Sequence, residues 1–424
     1  MTLHDSFSKR HYKMMKKALF IMATAATLAS CGTTTQSAQP VQTAQTTQMN
    51  EQDFETADEA NKFALKMFAL MHNEEKGNDN FCLSPLSASW ALSMAANGAE
   101  GTTREQMYAT LGFPGNDAEK INAYQQKIIK RLSTLDPERV TVGIANSMWV
   151  NENFKIKKEF EKSNTAYYDA TVKNIKFDAA AVEAINDWCS QKTNGKITEI
   201  VKEIDPMTQL FLINALYFNG RWTSTFNKKR TIEEEFTKEN GEKIKVQMMH
   251  QNTKMYYYED ENVQMAMKPF GEEKFHMLFI LPREGVTMDK SVQLLADNLD
   301  TWYSESEKEE VNLSLPRYKA EYGKSLKSTL QSMGMSDAFT PGKANFGALS
   351  KEELCIGDVL QKTFVKVDEE GAEAAAVTSV ALMAMAAGPP KPKNMVINRP
   401  FIYIIRERET GNILFIGKNG HPKE

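Results

Sequence analysis

The order of hydrophobic patterns along the chain constrains the fold more than any other feature. Two early segments carry apolar residues at helical spacing, namely Phe63, Met67, Leu70 and Met71, then Ile121, Tyr124, Ile128 and Leu132. From about residue 141, strand signals dominate and include the continuous apolar runs 210–218 and 276–281. Because helices come first and strands are unevenly spread, the pattern predicts a mixed α+β class rather than repeated βαβ units.

Two local signals add detail to this outline. Thr103 followed by Gln106 has the spacing of a helix capping box, and Gly112 with Pro114 is typical of a helix end. Asn240-Gly241 between apolar residues is a strong signal for a two-residue hairpin turn. The segment 369–392 fits neither class, since its middle suits a helix or a strand and its end must be a loop.

Length and charge limit the class of partner. A chain of 424 residues, 42% of them hydrophobic, can bury a large core. Its formal net charge of −4 argues against nucleic acid as a partner, because phosphate binding needs a concentrated basic face. No run after residue 31 is apolar for long enough to span a bilayer. We expect a water-soluble, monomeric body.

The sequence carries no pattern typical of an enzyme. GxSxG, HExxH and Gly-rich phosphate motifs are absent from it, and its six histidines are scattered, so we expect neither catalysis nor a cofactor. The cysteines lack ligand spacing, which argues against zinc. Three of them, Cys82, Cys189 and Cys355, are either buried free thiols or one disulfide with a spare thiol.

The first thirty residues are predicted to be a secretion signal. Lys16 and Lys17 precede a short apolar stretch at 18–28, and small residues then lead to Cys31. Leu28-Ala29-Ser30-Cys31 resembles the bacterial lipobox, in which the signal is removed before a cysteine that carries a lipid. An ordinary signal peptide with an incidental cysteine is the alternative. Residues 1–13 are polar and precede a better start at Met14 or Met15, so translation is expected to begin at one of these methionines.

Residues 31–50 are predicted to be a flexible tether and 51–424 the folded domain. The tether is rich in Thr and Gln and has too little apolar surface to offset the entropy lost on ordering. A lipid on Cys31 would make the membrane a partner. It would place the protein in a bacterial cell envelope, at the outer membrane or the cell surface, with secretion as the alternative.

Seven groups of residues occur in a fixed order along 52–424. They are Asn80, Ser84-Pro85 with Gly98-Ala99; Ile185-Asn186, Trp188 with Gly195-Lys196-Ile197; Asn214-Ala215-Leu216-Tyr217-Phe218 with Gly220, Trp222 and Phe226; Leu315-Pro316-Arg317-Tyr318 with Gly334-Met335; the run 367–376; Arg399-Pro400-Phe401; and Leu414-Phe415 with Gly417-Lys418 and Pro422. Together they resemble the serpin family of protease inhibitors. The resemblance implies a single domain of three β-sheets, eight or nine helices and an exposed reactive centre loop at about 369–392.

The resemblance also assigns parts to that loop. Its hinge would consist of Glu369, Glu370, Gly371, Ala372, Glu373, Ala374, Ala375 and Ala376. Counting fifteen residues from Gly371, as the family does, places the scissile bond at Met385-Ala386. Cleavage after Met383 or Ala384 is the alternative. The family's mechanism implies that a target protease forms an acyl-enzyme here and is trapped when the cut loop enters the main sheet.

Residue alternation tests whether this loop can become a buried strand. In a strand, every second residue faces the same side. One such set is small or apolar and uncharged: Ala372, Ala374, Ala376, Thr378, Val380 and Leu382. The sequence therefore favours an inhibitor over a non-inhibitory binding or chaperone-like surface lipoprotein of the same fold. Met385 suits elastase-, chymotrypsin- or subtilisin-like proteases, with papain-like cysteine proteases as a second class.

Six further residues match positions that the family uses around loop insertion. Ser84, Ser87, Asn214, Gln361 and Lys362 correspond to a polar gate beneath the main sheet, where the family often has histidine in place of Gln361. Glutamine can donate and accept hydrogen bonds, so a network is still expected, though without a titrating imidazole. Trp222 corresponds to the breach where the loop enters. Ordinary packing is the alternative for each of them.

Overall fold

A computed structural model describes residues 48–77, 79–113, 115, 117–205, 207–372 and 391–424. Eight α-helices occur within these ranges: α1 (Glu51–Glu74), α2 (Pro85–Ala96), α3 (Gly101–Leu111), α4 (Ala118–Thr134), α5 (Lys158–Tyr168), α6 (Ala179–Lys192), α7 (Met288–Ser304) and α8 (Lys327–Ser332). The predictions for the signal, for Cys31, for the tether up to residue 47 and for loop residues 373–390 lie outside the described residues.

Fifteen β-strands occur in the described part of the chain, most of them after the first six helices. They are β1 (Asn80–Leu83), β2 (Val140–Asn151), β3 (Thr171–Ile175), β4 (Leu210–Arg221), β5 (Ile232–Thr237), β6 (Lys243–Glu259), β7 (Val263–Phe270), β8 (Phe275–Pro282), β9 (Glu307–Pro316), β10 (Tyr318–Ser325), β11 (Asp358–Val367), β12 (Gly371–Ala372), β13 (Lys393–Val396), β14 (Phe401–Glu407) and β15 (Ile413–Asn419). The predicted α+β class is confirmed.

The strands of the described ranges form two sheets rather than the three expected. One has nine strands in the order β1-β15-β14-β8-β7-β6-β9-β13, with β5 paired to β6. The other has six, in the order β10-β11-β4-β2-β3, with β12 paired to β4. The difference arises because β6 is 17 residues long. It pairs with β5 and β9 over most of its length and with β7 at its end, so it joins two groups of strands into one sheet.

Helix α1 shows how local sequence sets the helix boundaries. Asn50 and Asp53 form a reciprocal capping box at its start, because each side chain accepts a hydrogen bond from the other's backbone N–H. Phe63, Met67 and Met71 are buried on its inner face. The helix spacing read from the sequence is therefore confirmed for this segment.

The capping box expected at Thr103 and Gln106 is wrong. Helix α3 begins at Gly101, two residues earlier, and both side chains bind another segment. Thr103 Oγ1 accepts from the N–H of Asn345 at 3.0 Å, and Gln106 Oε1 accepts from the N–H of Asp337 at 3.0 Å. The end of this helix is as predicted, since Gly112 closes it at φ +80°.

Strand β4 lies at the centre of the six-stranded sheet and is buried on both faces. Leu212, Leu216 and Phe218 point into the main core, which fills the space between the sheets and helices. Residues of the opposite face, including Ile213 and Tyr217, join a second cluster beneath α6. A strand covered on both faces reads as a continuous apolar run, which explains the sequence pattern at 210–218.

Candidate functional site

The predicted loop begins at the edge of the six-stranded sheet where β4 and β11 end. Strands β11 and β4 are parallel neighbours, paired from Asp358–Phe211 to Phe364–Tyr217. Beyond that pairing the chain turns back, and β12 pairs antiparallel with the end of β4, Gly371 with Arg221 and Ala372 with Gly220. The first two residues of the returning chain therefore already occupy the sheet position next to β4.

Gly371 is held where a side chain would not fit. A Cβ atom built on it would lie 2.1 Å from the carbonyl oxygen of Gly220 and 2.7 Å from Cα of Arg221. Its φ of +158° is also a conformation that other residues rarely adopt. The next residue, Ala372, is 1% exposed and packs in the main core, on the face that residue alternation assigns to it.

Three acidic residues form the turn between β11 and β12. Asp368 caps it, because its Oδ1 accepts from the N–H groups of Glu370 at 2.9 Å and Gly371 at 3.3 Å. Glu370 pairs with Lys228 at 2.5 Å, and this hydrogen bond raises the pKa of the lysine. The predicted hinge residues Glu369 and Glu370 are thus fixed to the body of the protein.

Glu369 makes the most buried of these ion pairs. Its side chain is 3% exposed and binds Arg317 at 2.5 Å and the hydroxyl of Thr231 at 2.6 Å. Burial opposes the charge of this carboxylate, but the hydrogen bonds from Arg317 and Thr231 outweigh it and hold the pKa of Glu369 below its usual value. Glu369 is therefore a charged anchor for the turn.

Trp222 joins the turn to the nine-stranded sheet, at the place expected for a breach. Its indole N–H donates to the carbonyl oxygen of Asp368 at 2.9 Å, and its backbone N–H donates to that of Glu370 at 2.8 Å. The indole stacks on Phe270 with ring centroids 4.2 Å apart. Two residues of the turn therefore depend on one tryptophan for hydrogen bonds.

Three of the predicted gate residues lie on the core side of the sheet. Gln361 binds Ser84 reciprocally, accepting from its N–H at 2.9 Å and donating to its carbonyl at 2.8 Å, and the Ser84 hydroxyl donates to Leu414 O at 2.7 Å. Asn214 stands opposite Gln361 in the register but donates to Asn146 instead, at 2.5 Å. Strands β4 and β11 are therefore each tied to other elements rather than to one another by these amides.

The other two gate residues are placed differently. Ser87 is buried in α2, and its hydroxyl finds no partner among the described residues. Lys362 points to the opposite face of β11, because neighbouring strand residues alternate. There its ammonium donates to the carbonyl of Glu199 at 2.7 Å and pairs with Glu321 at 3.1 Å. The structure does not bring Lys362 together with Ser84.

Several residues that hold this site were missed at the level of sequence. Arg317 and Asp368 lie in segments that match the family, but the resemblance gives neither a role, and no sequence pattern singles out Lys228 or Thr231. One feature of the sequence could have indicated these partners, namely the pair Glu369-Glu370 at the start of an apolar segment. Both carboxylates are buried, and buried carboxylates require cations or hydrogen-bond donors nearby. Lys268, inside the apolar strand β7, was a second overlooked signal.

The structure decides whether the described cysteines are free thiols or include a disulfide. Cys82, Cys189 and Cys355 are buried and free. Burial raises the pKa of Cys82 to about 11 and that of Cys189 to about 12, so both are poor nucleophiles. Within the described ranges, no cluster of side chains suits a metal ion, and no helix has the length and apolar character to cross a membrane.

The chain is similar to known proteins over most of its length. The family model described as Serpin (serine protease inhibitor) matches residues 58–422. An uncharacterized serpin-like protein from Thermococcus kodakarensis is 34% identical, over 84% of this chain and 84% of its own length. Human Serpin B9 is 33% identical, over 85% of this chain and 97% of its own length.

Solved structures agree with these relatives. The native state of the thermophilic serpin Tengpin matches with a TM-score of 0.80 at 36% identity and covers 88% of this chain and 95% of its own. Native protease nexin-1, crystallised with heparin, matches with a TM-score of 0.78 at 26% identity, over 87% of this chain and 100% of its own.

Proposed function

The chain belongs to the serpin family, and we propose that it is a suicide-substrate inhibitor of serine endopeptidases. In this proposal the protease nucleophile attacks the carbonyl of Met385, an ester to that residue forms, and the amine of Ala386 leaves. The freed chain from Gly371 to Met385 then enters the six-stranded sheet between β4 and β11 before water hydrolyses the ester. The protease is carried along and its active site distorted.

The pairing of β12 with β4 is the observation that supports this proposal most directly. If the same antiparallel register continues, Ala374 lies opposite Phe218, Ala376 opposite Leu216, and Thr378 opposite Asn214. Residues directly opposite one another share a face of the sheet. Because Leu216 and Phe218 point into the main core, the small uncharged set of the loop would arrive on the core side.

The sheet topology gives insertion a favourable energy. Strands β11 and β4 are hydrogen-bonded to each other along one parallel pairing. An antiparallel strand placed between them would break that pairing and form two new ones, one with each strand. A strand of about twelve residues adds on the order of ten ladder bonds at about 0.5–1.5 kcal/mol net each. The total, on the order of 5–15 kcal/mol, equals the stability of a typical domain.

Insertion also moves the protease far enough to damage it. The chain from Gly371 to Met385 contains fifteen residues. At about 3.3 Å per residue, a strand of that length carries the acyl-enzyme roughly 50 Å. Catalytic groups lose their alignment after displacements of about 1 Å, so the ester persists once the protease is pulled against the body of the inhibitor.

The residues before the proposed scissile bond indicate the class of target. Met383, Ala384 and Met385 are apolar, and a medium-sized unbranched side chain suits the specificity pocket of elastase-, chymotrypsin- and subtilisin-like enzymes. Papain-like cysteine proteases are a second target class, because they form the corresponding thioester. Trypsin-like enzymes are disfavoured, since the nearest basic residue, Lys391, precedes Pro392.

The proposal is tested by mixing the purified domain with pancreatic elastase, chymotrypsin, subtilisin and papain. We expect a complex that survives SDS with at least one of them, and mass spectrometry should place the ester or thioester at Met385 or within two residues of it. Ala374→Arg should abolish the complex and leave a cleaved loop, because it puts a charge on the core face. Glu373→Arg is the matched control, since that neighbouring position already carries a charge on the other face.

A different result would favour another function. If the wild-type loop is cut by every protease of the panel and no complex persists, the chain is a non-inhibitory member of the family, and a binding or chaperone-like role takes precedence. A persistent complex with Ala374→Arg would contradict trapping by insertion.

The proposed location rests on the N-terminal sequence alone. We propose that Cys31 carries a lipid and tethers the protein to a bacterial envelope through residues 32–50. Expression of the full chain in a Gram-negative host with a labelled fatty acid should give a labelled, membrane-associated protein, and Cys31→Ser should abolish both properties. Export of an unlabelled, soluble wild-type protein would instead indicate an ordinary signal peptide.

A further inference from the structure

Lys268 is a fully buried lysine directly beneath the segment that receives the hinge. It lies in β7, and the residue as a whole is 2% exposed. Residues 222–226, here called the hinge seat, cross over it. Trp222 and Phe226 at the two ends of the seat donate backbone hydrogen bonds of 2.8 Å to the carbonyls of Glu370 and Glu369. Whatever fixes the seat therefore also fixes the start of the loop.

The amine of Lys268 binds the middle of this seat. Its Nζ donates to the carbonyl oxygen of Ser224 at 2.7 Å and to Oε1 of Gln251 at 2.5 Å. It also lies 5.1 Å from the ring centroid of Trp222 and 4.4 Å from that of Phe226. Two acceptors match the two N–H groups of a neutral amine. For the third N–H of an ammonium, the described residues offer the ring faces of Trp222 and Phe226, which attract a cation but do not replace a carboxylate.

Among the described residues that face the amine, none carries a negative charge. The seat contributes Trp222, Thr223, Ser224, Thr225 and Phe226, none of which is ionised at neutral pH. Strand β6 contributes the neutral Gln251, and β8 places Met277 opposite Lys268.

The nearest carboxylates on the turn packed against Trp222 are already paired. Asp368, Glu369 and Glu370 bind Lys366, Arg317 and Lys228, respectively. Burial alone accordingly lowers the pKa of Lys268 to about 7.

We propose that Lys268 is a positioning residue that couples opening of the hinge seat to the uptake of one proton. Thr223 and Ser224 are exposed, so the seat is a single layer between the amine and water. When that layer lifts, water reaches the amine and the amine takes up a proton. When it closes, the proton leaves and the two hydrogen bonds re-form. This coupling holds whether or not the loop traps a protease.

The coupling predicts the direction of the pH effect. Between the pKa of the closed state, about 7, and the ordinary lysine value near 10.5, only the open state holds the extra proton. Closing is therefore favoured by up to tenfold for each unit of rising pH in that window. Below about pH 7 both states hold the proton, and the effect of pH through this group disappears.

Two measurements on the folded protein test the coupling. NMR of wild-type protein with lysines labelled at the ε-carbon should show one lysine that titrates near pH 7, and that signal should vanish in Lys268→Met. Hydrogen exchange of the backbone amides of 368–372, corrected for intrinsic rates, should become slower from pH 7 to pH 9 in the wild type. In Lys268→Met the corrected protection should be independent of pH, and the exposed Lys274→Met should behave as the wild type.

The proposal is overturned if every wild-type lysine titrates above pH 9, or if Lys268→Met retains the wild-type dependence of protection on pH. The NMR titration is made on the wild-type chain, so it decides the matter even where the variant does not fold. Failure of these tests would not argue against the SDS-stable complex of the proposed function. Absence of that complex would not change the expected lysine titration.

Discussion

At the scale of single residues, the site depends on a glycine that tolerates no Cβ. Gly371→Ala should displace β12 from β4, because the new atom would lie 2.1 Å from a backbone oxygen that cannot move away freely. We expect the docked hinge to lose about 1–3 kcal/mol, seen as faster amide exchange at residues 371 and 372. Gly285→Ala is the matched control, since its φ is +83° but its Cβ would meet nothing within 4 Å. Equal exchange in the two variants would contradict the clash.

The Glu369 anchor should respond to acid in a defined direction. A carboxylate whose pKa is depressed in the folded state contributes stability above its unfolded value, and this contribution is lost as pH falls through the folded pKa. For Glu369 the unfolded value is 4.5, so the anchor is intact at neutral pH and weakens below that value. Arg317 is then left with Glu424 as its partner.

Glu369→Gln therefore should show at pH 7 the hinge exchange that the wild type shows only in acid. The loss of a charge-assisted hydrogen bond corresponds to about 1–3 kcal/mol. Amide exchange of 368–372, corrected for intrinsic rates, measures it in both proteins at pH 7 and at a series of pH values descending from 4.5. If the variant at pH 7 matches the wild type at pH 7, Glu369 is not the anchor.

At the scale of elements, Gln361 ties β11 to the segment that precedes α2. Gln361→Leu should destabilise the protein by about 1–3 kcal/mol, because the buried N–H of Ser84 loses its acceptor. The Ser84 carbonyl loses one of two donors and keeps the N–H of Ala88. Lys362→Met, one residue along on the other face, removes a partly exposed ion pair and should cost less than about 1 kcal/mol. Thermal unfolding of the two variants measures the contrast. An equal loss in both would mean that the amide pair contributes little.

Element positions could be predicted from the sequence where periodicity or turn chemistry is local. Phe63, Met67 and Met71 define one helix face. Asn240-Gly241 lies in the turn between β5 and β6, with Gly241 at φ +82°, but the expected two-residue turn is wrong, because the strands end at Thr237 and Lys243 and the connection spans 238–242. Gly112 ends α3 because a glycine readily adopts the left-handed conformation of a helix C-terminus. Thr103 could not be predicted correctly, since a backbone donor 242 residues away competes for its hydroxyl. The choice between local and distant partners depends on tertiary packing.

The site, like the element positions, could be predicted only in part from the sequence. Family positions placed Gln361 and Ser84 together in the gate and Trp222 separately at the breach. The opposite direction of Lys362 follows from strand alternation and could have been foreseen. Arg317 comes from one segment, and Lys228 and Thr231 come from another, and both meet Glu369 and Glu370 only in the folded chain. Ion pairs between residues far apart in the chain produce no periodic pattern in the sequence. The sequence shows only that two adjacent glutamates, if buried, need cations from elsewhere in the chain.

At the scale of the whole molecule, the described structure has a sheet that is closed between β4 and β11 apart from the two residues of β12. The proposed function requires this arrangement to be less stable than one with a further central strand. The uncut chain is held back because both ends of the loop are fixed. Gly371 is fixed in the six-stranded sheet, and β13 is paired with β9 in the other sheet. Cutting the loop removes that constraint without altering a single contact of the described core.

Cleavage of the loop should therefore stabilise the protein. With a trace of a protease that cuts within 373–390, the wild type should gain on the order of 10 °C or more in the temperature of thermal unfolding, because insertion adds several kcal/mol to a large cooperative unit. Ala374→Arg should be cut at the same rate but gain little, since an arginine opposite Phe218 would lie in the apolar core. Calorimetry of the cut and uncut forms of both proteins measures this. If cut wild type melts with the uncut protein, the closed sheet is already the most stable state, and the loop has no energy with which to distort a bound protease.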